Sequence, residues 1–201
     1  GQIYNVGNLE LKSGESAYLE EGCVVCGRIY SNMADNVRVS GNGILYGGVW
    51  HKPDENGGRL MASFYLGKHI LVEGISVVDN GVWNVVPGAC RDVIIRDVNI
   101  MSRLVTGDGI DIVGCEEVLV EDCFIRACDD CVCIKACALP VRQPAAMCGI
   151  SRFGAAFFGM PNRAMHWKSA MSCAVMRFQM LSLKIATLFI ANMKAISPAA
   201  F

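Results

Sequence analysis

The last third of the sequence lacks acidic residues altogether. All 19 Asp and Glu residues lie within residues 1–137, which carry 11 basic residues and a net charge of −8. Residues 138–201 carry 7 basic residues and a net charge of +7. A natural domain rarely changes composition so abruptly, so we place a boundary near Ala138 and interpret the two segments separately.

Long apolar runs and an excess of one charge are missing as well. A membrane helix needs about 18 apolar residues, whereas the longest candidate, Met180–Met193, has 14 and contains Lys184. The 18 Lys and Arg nearly balance the 19 Asp and Glu, so we expect neither a membrane nor a nucleic acid as partner. Gly1 is not Met and no signal-like segment follows it, which we interpret as an internal fragment or a processed product.

Four stretches of the first segment repeat one pattern. Each opens with alternating β-branched residues, passes through a polar or Gly-containing bend and closes with a second short apolar strand. The step from Ile70 to Val93 is nearly the same as that from Val93 to Val118, and helical periodicity is absent. Such a period predicts a solenoid. Because the sequence motif of leucine-rich repeats is missing, we predict an all-β, parallel β-helix over residues 1–137. The four stretches are Asn36–Leu45, His69–Val78, Asp92–Met101 and Glu117–Arg126.

Two Asp-containing segments are predicted to lie on consecutive coils. Aligning Thr106–Ile112 with Asp129–Lys135, so that Ile110 meets Val132, continues the alternation of both strands. Because neighbouring parallel strands are ~4.8 Å apart, Asp108 then stacks against Asp130, with Asp129 beside them. Asp111 faces away from the buried residues of its strand and is interpreted as structural or supporting.

Stacked carboxylates suit acid–base chemistry. Like charges this close resist joint ionisation, so the pKa of one carboxyl is expected to rise. A protonated acid beside ionised carboxylates is what cleavage of a glycosidic bond requires. Asp129 and Asp130 are adjacent, so they can cooperate only on a bend or bulge. Taken singly, each Asp suits a hydrogen-bonded turn; the trio together favours catalysis.

Motifs in the first segment match a known family. Gly41–Trp50 is similar to the pattern G-x-G-x-x-D-G-x-x-x-W, with Tyr46 in place of the Asp. Asn80–Cys90 is similar to S/N-x-x-W-x-x-H-P-x-x-C, with Val86 in place of the His. In these motifs the sequence resembles the polygalacturonase-like glycoside hydrolases, family 28. These are right-handed parallel β-helix proteins of the pectin-lyase-like class.

The resemblance spans about residues 36–136 and includes the carboxylates. A Thr-Gly-Asp ending at Asp108 stands where the family has Asn-Thr-Asp, and Asp129–Asp130 matches its Asp-Asp pair. The resemblance implies that Asp129 is the general acid, while Asp108 and Asp130 activate water with inversion and without a cofactor. The later Gly-His-Gly and Arg-x-Lys motifs are absent. The resemblance implies a pectin-like or related polysaccharide as the partner. We expect the chain to be a monomer.

Three further residues are candidates for contacting the substrate. Trp50 and Trp83 could stack on sugar rings, although core or loop packing explains either equally well. Lys135 could hold an anionic sugar carboxylate, and a solvated Lys at the end of a strand is the simpler interpretation.

Two other functions are compatible with the fold. A non-catalytic β-helix that binds glycans or serves as a structural spine predicts that the Asp trio does not converge on one exposed face. A polysaccharide lyase on the same fold usually needs Ca²⁺ and a basic residue over the carboxylates. Only Lys135 is close enough in the sequence, so we rank the lyase last.

The 11 cysteines give no strong site. Two C-x-x-C pairs, Cys23–Cys26 and Cys128–Cys131, lie several coils apart, which disfavours a shared zinc ion. Cys123 and Cys133 alternate with apolar residues and are interpreted as inward ladder positions. Free thiols suit a reducing compartment, whereas polysaccharide hydrolases are often exported, so localisation stays open.

Residues 138–201 show neither the repeat nor another motif. Read two bases later, codons consistent with this segment can encode the strand–bend–strand pattern of the earlier coils, which indicates a frameshift just upstream of Met147. We then expect an irregular or weakly helical tail and a half-built substrate groove, which weighs against activity of the chain as it stands. The rival is a genuine basic appendage with an amphipathic helix over Met171–Met193.

Overall fold

The computed structural model describes residues 1–48, 60–80, 82–103 and 106–135, and the backbone of two short strands at 149–153 and 157–158. The described part contains strands and no helix, stacked in about five turns of a parallel β-helix. The predicted fold class is therefore confirmed. The strands are β1 (Ile3–Glu10), β2 (Ser16–Leu19), β3 (Val24–Asn32), β4 (Val37–Gly41), β5 (Ile44–Tyr46), β6 (Ala62–Tyr65), β7 (Lys68–Glu73), β8 (Ser76–Val78), β9 (Val85–Gly88), β10 (Arg91–Arg96), β11 (Asn99–Met101), β12 (Ile110–Val113), β13 (Glu116–Glu121), β14 (Phe124–Arg126), β15 (Val132–Lys135), β16 (Gly149–Phe153) and β17 (Phe157–Phe158).

Two parallel sheets build the solenoid. Six strands form one sheet in the order β16-β13-β10-β7-β4-β2. The other sheet has two arms that meet at the long strand β3, whose first half pairs with β5 and whose second half pairs with β6. We call the arm formed by β6, β9, β12 and β15 the site arm, because it carries the carboxylates described below.

Inward residues of equivalent strands stack into ladders. In the six-stranded sheet Ile70 pairs with Val93 and Val93 with Val118, so the predicted repeat is confirmed. These side chains are fully buried, because alternate residues of each strand point into the solenoid. The intervening Ile94 is half-buried on the outer face. The alternation in the sequence therefore decides which apolar side chains form the core.

Left-handed backbone recurs at equivalent positions near the ends of the strands. His69, Asp92 and Glu117 precede the inward residues of β7, β10 and β13 and have φ of 58°, 55° and 56°. Asp97 and Asp122 follow β10 and β13, each with φ of 52°. Asp tolerates this region better than most residues because its short side chain can hydrogen-bond locally. Each coil therefore turns at the same places.

The second segment lies almost wholly outside the described residues. We expected residues 138–201 to be irregular or weakly helical, yet β16 and β17 are short strands that pair in parallel with β13 and β14. Exposed backbone at the edges of those two strands explains the pairing. The boundary near Ala138 and the frameshift stay predictions. Among the described residues, no helix has the length and apolarity needed to cross a membrane.

Candidate active site

The predicted alignment of the two Asp-containing segments is confirmed. Strands β12 and β15 pair with Ile110 beside Val132 and Ile112 beside Ile134. Asp108 lies in the turn that enters β12. Asp129 and Asp130 lie in the bend between β14 and β15, so their side chains are not forced to opposite faces as they would be within a strand. All three carboxyl groups therefore sit where the chain enters β12 and β15, at one edge of the site arm.

The three Asp side chains converge. One carboxylate oxygen from each of Asp108, Asp129 and Asp130 lies within 4.8 Å of the others. Asp108 is buried, Asp130 is half-buried and Asp129 is exposed, so the group reaches from the protein interior to solvent. The backbone N–H of Asp130 donates to Oδ1 of Asp108 at 3.3 Å. Oxygens at this spacing could also share a cation, although hydrolysis of a glycosidic bond needs none.

Two residues that sequence reasoning did not single out, Asn84 and Gly109, fix the backbone around Asp108. The side-chain amide of Asn84 donates to the Asp108 carbonyl oxygen at 2.7 Å, and the Asn84 backbone N–H donates to it at 3.1 Å. A Cβ on Gly109 would lie 2.3 Å from the Cys131 carbonyl oxygen, so only glycine allows this approach. Asn84 stands one coil before Asp108 in the sequence, and this spacing is the signal that could have revealed it.

Lys135 contacts the carboxyl groups rather than solvent. Its ammonium bonds Oδ1 of Asp111 and lies 3.3 Å from Oδ2 of Asp108. It also lies 3.5 Å from the centre of the Trp83 ring, within cation–π range. The Lys135 side chain is only 16% exposed and that of Asp111 is 0% exposed. Lys135, Asp108, Asp111 and Trp83 therefore form one packed cluster, which we call the lysine cluster.

Burial and neighbouring charges raise the pKa of two carboxyl groups. For Asp111, burial raises the pKa to about 8 although Lys135 acts against the rise. For Asp129, burial raises the pKa first, and the negative charges of Asp108 and Asp130 raise it further. Repulsion among close carboxylates thus contributes in the expected direction, but it ranks second to burial. Asp129 is consequently the member of the trio suited to carry a proton.

The prediction for Cys133 is confirmed for its burial, since only 5% of the residue is exposed, but not for its place in the inward ladder. Cys133 pairs with Asp111, on the face of β15 opposite to the core, and it is not part of the buried hydrophobic cluster. Burial raises the pKa of its thiol to about 12. The apolar residues on both sides suggested an inward cysteine, but those residues, Val132 and Ile134, are the ones that pack against the core. Cys123 is buried in the core as predicted.

The aromatic candidates differ in what can be said of them. Trp83 is half-buried beside the lysine cluster, with one ring face covered by the Lys135 ammonium. Stacking of a sugar on Trp83 stays a prediction and is limited to its other face. Trp50 lies outside the described residues. Val86, which stands at the His position of the family motif, is fully buried on β9.

Comparison with known proteins places the chain in a family. Residues 7–150, more than half of the chain, match the model of glycosyl hydrolases family 28. The chain belongs to this family. The family predicted from the sequence motifs is therefore confirmed, and the roles of Asp108, Asp129 and Asp130 stay predictions. The match also extends past Ala138, as far as the first residues of β16.

Individual relatives agree with the family 28 assignment. A protein of Vitis vinifera named "Probable polygalacturonase" is 27% identical over 142 residues, which cover 66% of this chain and 26% of the relative. The family 28 exopolygalacturonase of Yersinia enterocolitica superposes with a TM-score of 0.64 at 16% identity, covering 78% of this chain and 42% of its own. A candidate glycosyl hydrolase of Parabacteroides merdae gives 0.62 at 16% identity, covering 78% and 79%. The two structures support the fold alone, and this chain spans about a quarter of the Vitis relative.

Proposed function

We propose that this β-helix hydrolyses O-glycosidic bonds of a pectin-like or related polysaccharide. The observation that carries the proposal is the convergence of Asp108, Asp129 and Asp130 within 4.8 Å at the entry to the site arm. Membership of family 28 and the similarity to a protein named as a polygalacturonase support a galacturonate-containing substrate. No cofactor is needed, because proton transfer and water attack can be carried out by carboxyl groups.

The environment of each carboxyl group suggests its role. Asp129 reaches solvent, and partial burial of its carboxyl group together with its acidic neighbours raises its pKa, so it can protonate the oxygen of the leaving sugar. Asp108 and Asp130 stack one coil apart, and together they can accept a proton from an attacking water molecule. The polysaccharide would lie across the site arm, with Trp83 and Trp50 as proposed stacking residues.

The same geometry favours hydrolysis over the alternatives. A non-catalytic glycan-binding β-helix gives no reason for three carboxylates to converge. A lyase needs a basic residue to remove a proton next to the sugar carboxylate, but the Lys135 ammonium bonds Asp111 and lies close to Asp108. Lysis is distinguished from hydrolysis by the unsaturated product, which absorbs ultraviolet light.

The carboxylates lie closer together than in most inverting glycosidases. Those enzymes keep acid and base roughly 6.5–9.5 Å apart to leave room for water, whereas retaining enzymes use about 5–5.5 Å. Inversion is implied by the family 28 resemblance, with Asp108 and Asp130 proposed to hold the water as a pair while Asp129 reaches the leaving oxygen. We therefore expect inversion, which proton NMR detects in the anomeric configuration of the newly formed reducing end.

The deciding assay measures the release of reducing ends from polygalacturonate and related pectins by the full chain. Asp129→Asn is expected to lower kcat by about 100- to 10,000-fold, because it removes the general acid. The matched control is Asp122→Asn, the same exchange at an exposed corner residue away from the trio. Equal activity of the two variants, an unsaturated product, or a product that retains its anomeric configuration would each contradict the mechanism.

A further inference from the structure

Two charged residues of the lysine cluster, Asp111 and Lys135, have no role in the proposed three-Asp mechanism. Four carboxyl groups, Asp108, Asp111, Asp129 and Asp130, lie around the ammonium of Lys135 or beside its partners. A catalytic site needs its water-activating carboxylate held in one orientation. Lys135 and Asp111 lie further inside the protein than the exposed Asp129, so they can act on the site without touching the polysaccharide.

Asp111 occupies a position that an acidic residue rarely tolerates. It is fully buried on β12, and its Oδ2 atom receives no hydrogen bond from a donor in the described part of the chain. A buried carboxylate of this kind is costly unless it is paired or protonated. Its Oδ1 atom bonds the Lys135 ammonium, which also lies 3.3 Å from Oδ2 of Asp108.

We propose that Asp111 and Lys135 are positioning residues for Asp108. Lys135 bridges the two carboxyl groups, and Asp111 holds the ammonium in place beside Asp108. The Trp83 ring covers the ammonium on another side, so the bridge has little freedom to move. This inference rests on the proposed function, because it assigns Asp108 a part in activating water.

The groups that face Asp111 are consistent with a protonated acid at neutral pH. Tyr65 on β6, Cys133 and Lys135 on β15, and Asp108 all interact with it electrostatically. Burial raises the pKa of Asp111 to about 8, so near neutrality its carboxyl group carries a proton. A protonated Oδ2 would donate to Asp108 and leave Lys135 as the counter-charge of that carboxylate.

The pairing also explains why Lys135 stays charged in a buried place. Burial acts to lower the pKa of Lys135, but the hydrogen bond and the charges of its neighbours outweigh it, so the pKa is raised. A neutral lysine would neither bridge two carboxyl groups nor bind the face of Trp83. The ammonium is therefore committed to the cluster rather than to an incoming sugar carboxylate.

The test compares kcat and KM of the full chain on polygalacturonate for Lys135→Met, Asp111→Ala and Asp111→Asn. Misplacement of a reacting group by about 1 Å costs up to about 100-fold. We expect kcat of Lys135→Met and Asp111→Ala to fall by about 10- to 100-fold with KM changed less than about 3-fold. Asp111→Asn keeps an N–H donor for Asp108 and an oxygen for Lys135, so it should recover most of the loss.

The matched control is Lys68→Met, which removes the same charge at an exposed position of the six-stranded sheet. A rise in KM with unchanged kcat in Lys135→Met would overturn the proposal and assign Lys135 to substrate binding. Unchanged kcat in all three variants, or Asp111→Asn as impaired as Asp111→Ala, would overturn it too. If Lys135→Met does not fold, the comparison of Asp111→Ala with Asp111→Asn decides alone.

A second readout separates this inference from the proposed function. In the full chain labelled with ¹³C at Asp carboxyl carbons, Lys135→Met is expected to move the titration of Asp111 to higher pH, because Lys135 lowers the pKa of that carboxyl group, and Lys68→Met is not. If the wild-type chain cleaves no pectin but this shift is observed, the hydrolytic function fails and the positioning cluster stands. If the Asp111 titration is the same in both variants, the cluster fails whatever the activity.

Discussion

At the scale of single residues, the surroundings of an Asp side chain at this site decide its acid–base properties, and its residue type does not. Asp108, Asp111 and Asp129 are chemically identical side chains, yet one is buried against an ammonium, one is fully buried with a pKa of about 8, and one is exposed with a raised pKa. The difference follows from what each carboxyl group contacts. One residue type therefore meets three different environments at this site.

Asp111 is expected to make the stability of the chain depend on pH. Its carboxyl titrates at about pH 8 in the folded protein and near about pH 4 in the unfolded chain. Between these values the folded state binds one proton more, so the free energy of unfolding falls as the pH rises, by at most about 1.4 kcal/mol per pH unit. Asp111→Asn removes this dependence, and its stability relative to wild type is expected to increase towards pH 8.

Urea unfolding followed by tryptophan fluorescence at several pH values between about 5 and about 8 measures the effect. Asp122→Asn serves as the control for loss of a carboxylate at an exposed corner. A difference between wild type and Asp111→Asn that stays constant with pH would contradict the assignment of Asp111 as a buried, protonated acid.

The convergence of the trio could be predicted because it depends only on the repeat. The coil step that pairs Ile110 with Val132 places Asp108 and Asp130 in neighbouring turns whatever their side chains do. The lysine cluster could not be predicted in the same way. Lys135 pairs with Val113 in the backbone register and reaches Asp111 through a long flexible side chain. The alternation of a strand gives the face of a residue, not the reach of its side chain.

At the scale of the element, strand β10 contains a core residue, and the residue next to it can serve as its control in a mutation experiment. Ile95 of β10 is fully buried between Val72 and Val120, whereas Ile94 is half-buried on the outer face. We expect Ile95→Ala to lower the free energy of unfolding by about 2–5 kcal/mol, because it leaves a cavity in the ladder. Ile94→Ala should cost less than about 1 kcal/mol.

Urea unfolding curves of the two variants give the comparison directly. Equal losses would mean that β10 does not keep its inward and outward faces in solution, and the register with β7 and β13 would have to be reassigned. The strands themselves were predictable from β-branched alternation, while the corners were not. The left-handed conformation at Glu117 has no signal in residue type, whereas His69 belongs to a residue type that is enriched there.

At the scale of the whole molecule, the composition break near Ala138 makes a prediction about the gene. If residues 138–201 are the product of a frameshift, the coding DNA read two bases later from just upstream of Met147 is expected to stay open and encode further coils. Sequencing the DNA across codons 130–150 with its flanks tests this. An early stop in the shifted frame, or loss of the strand–bend–strand pattern, would contradict the frameshift and make the basic tail genuine.

The recurrence of left-handed corners at Asp92 and Glu117, one coil apart, also bears on how such a chain changes over generations. Because each coil turns at equivalent residues and contacts only the coils above and below, a duplication or loss of one whole coil leaves every other coil in register. A length change of another size shifts inward side chains to the outer face. The gene can therefore grow or shrink in units of one coil, except between Asp108 and Asp130, where one more coil would separate the two carboxyl groups.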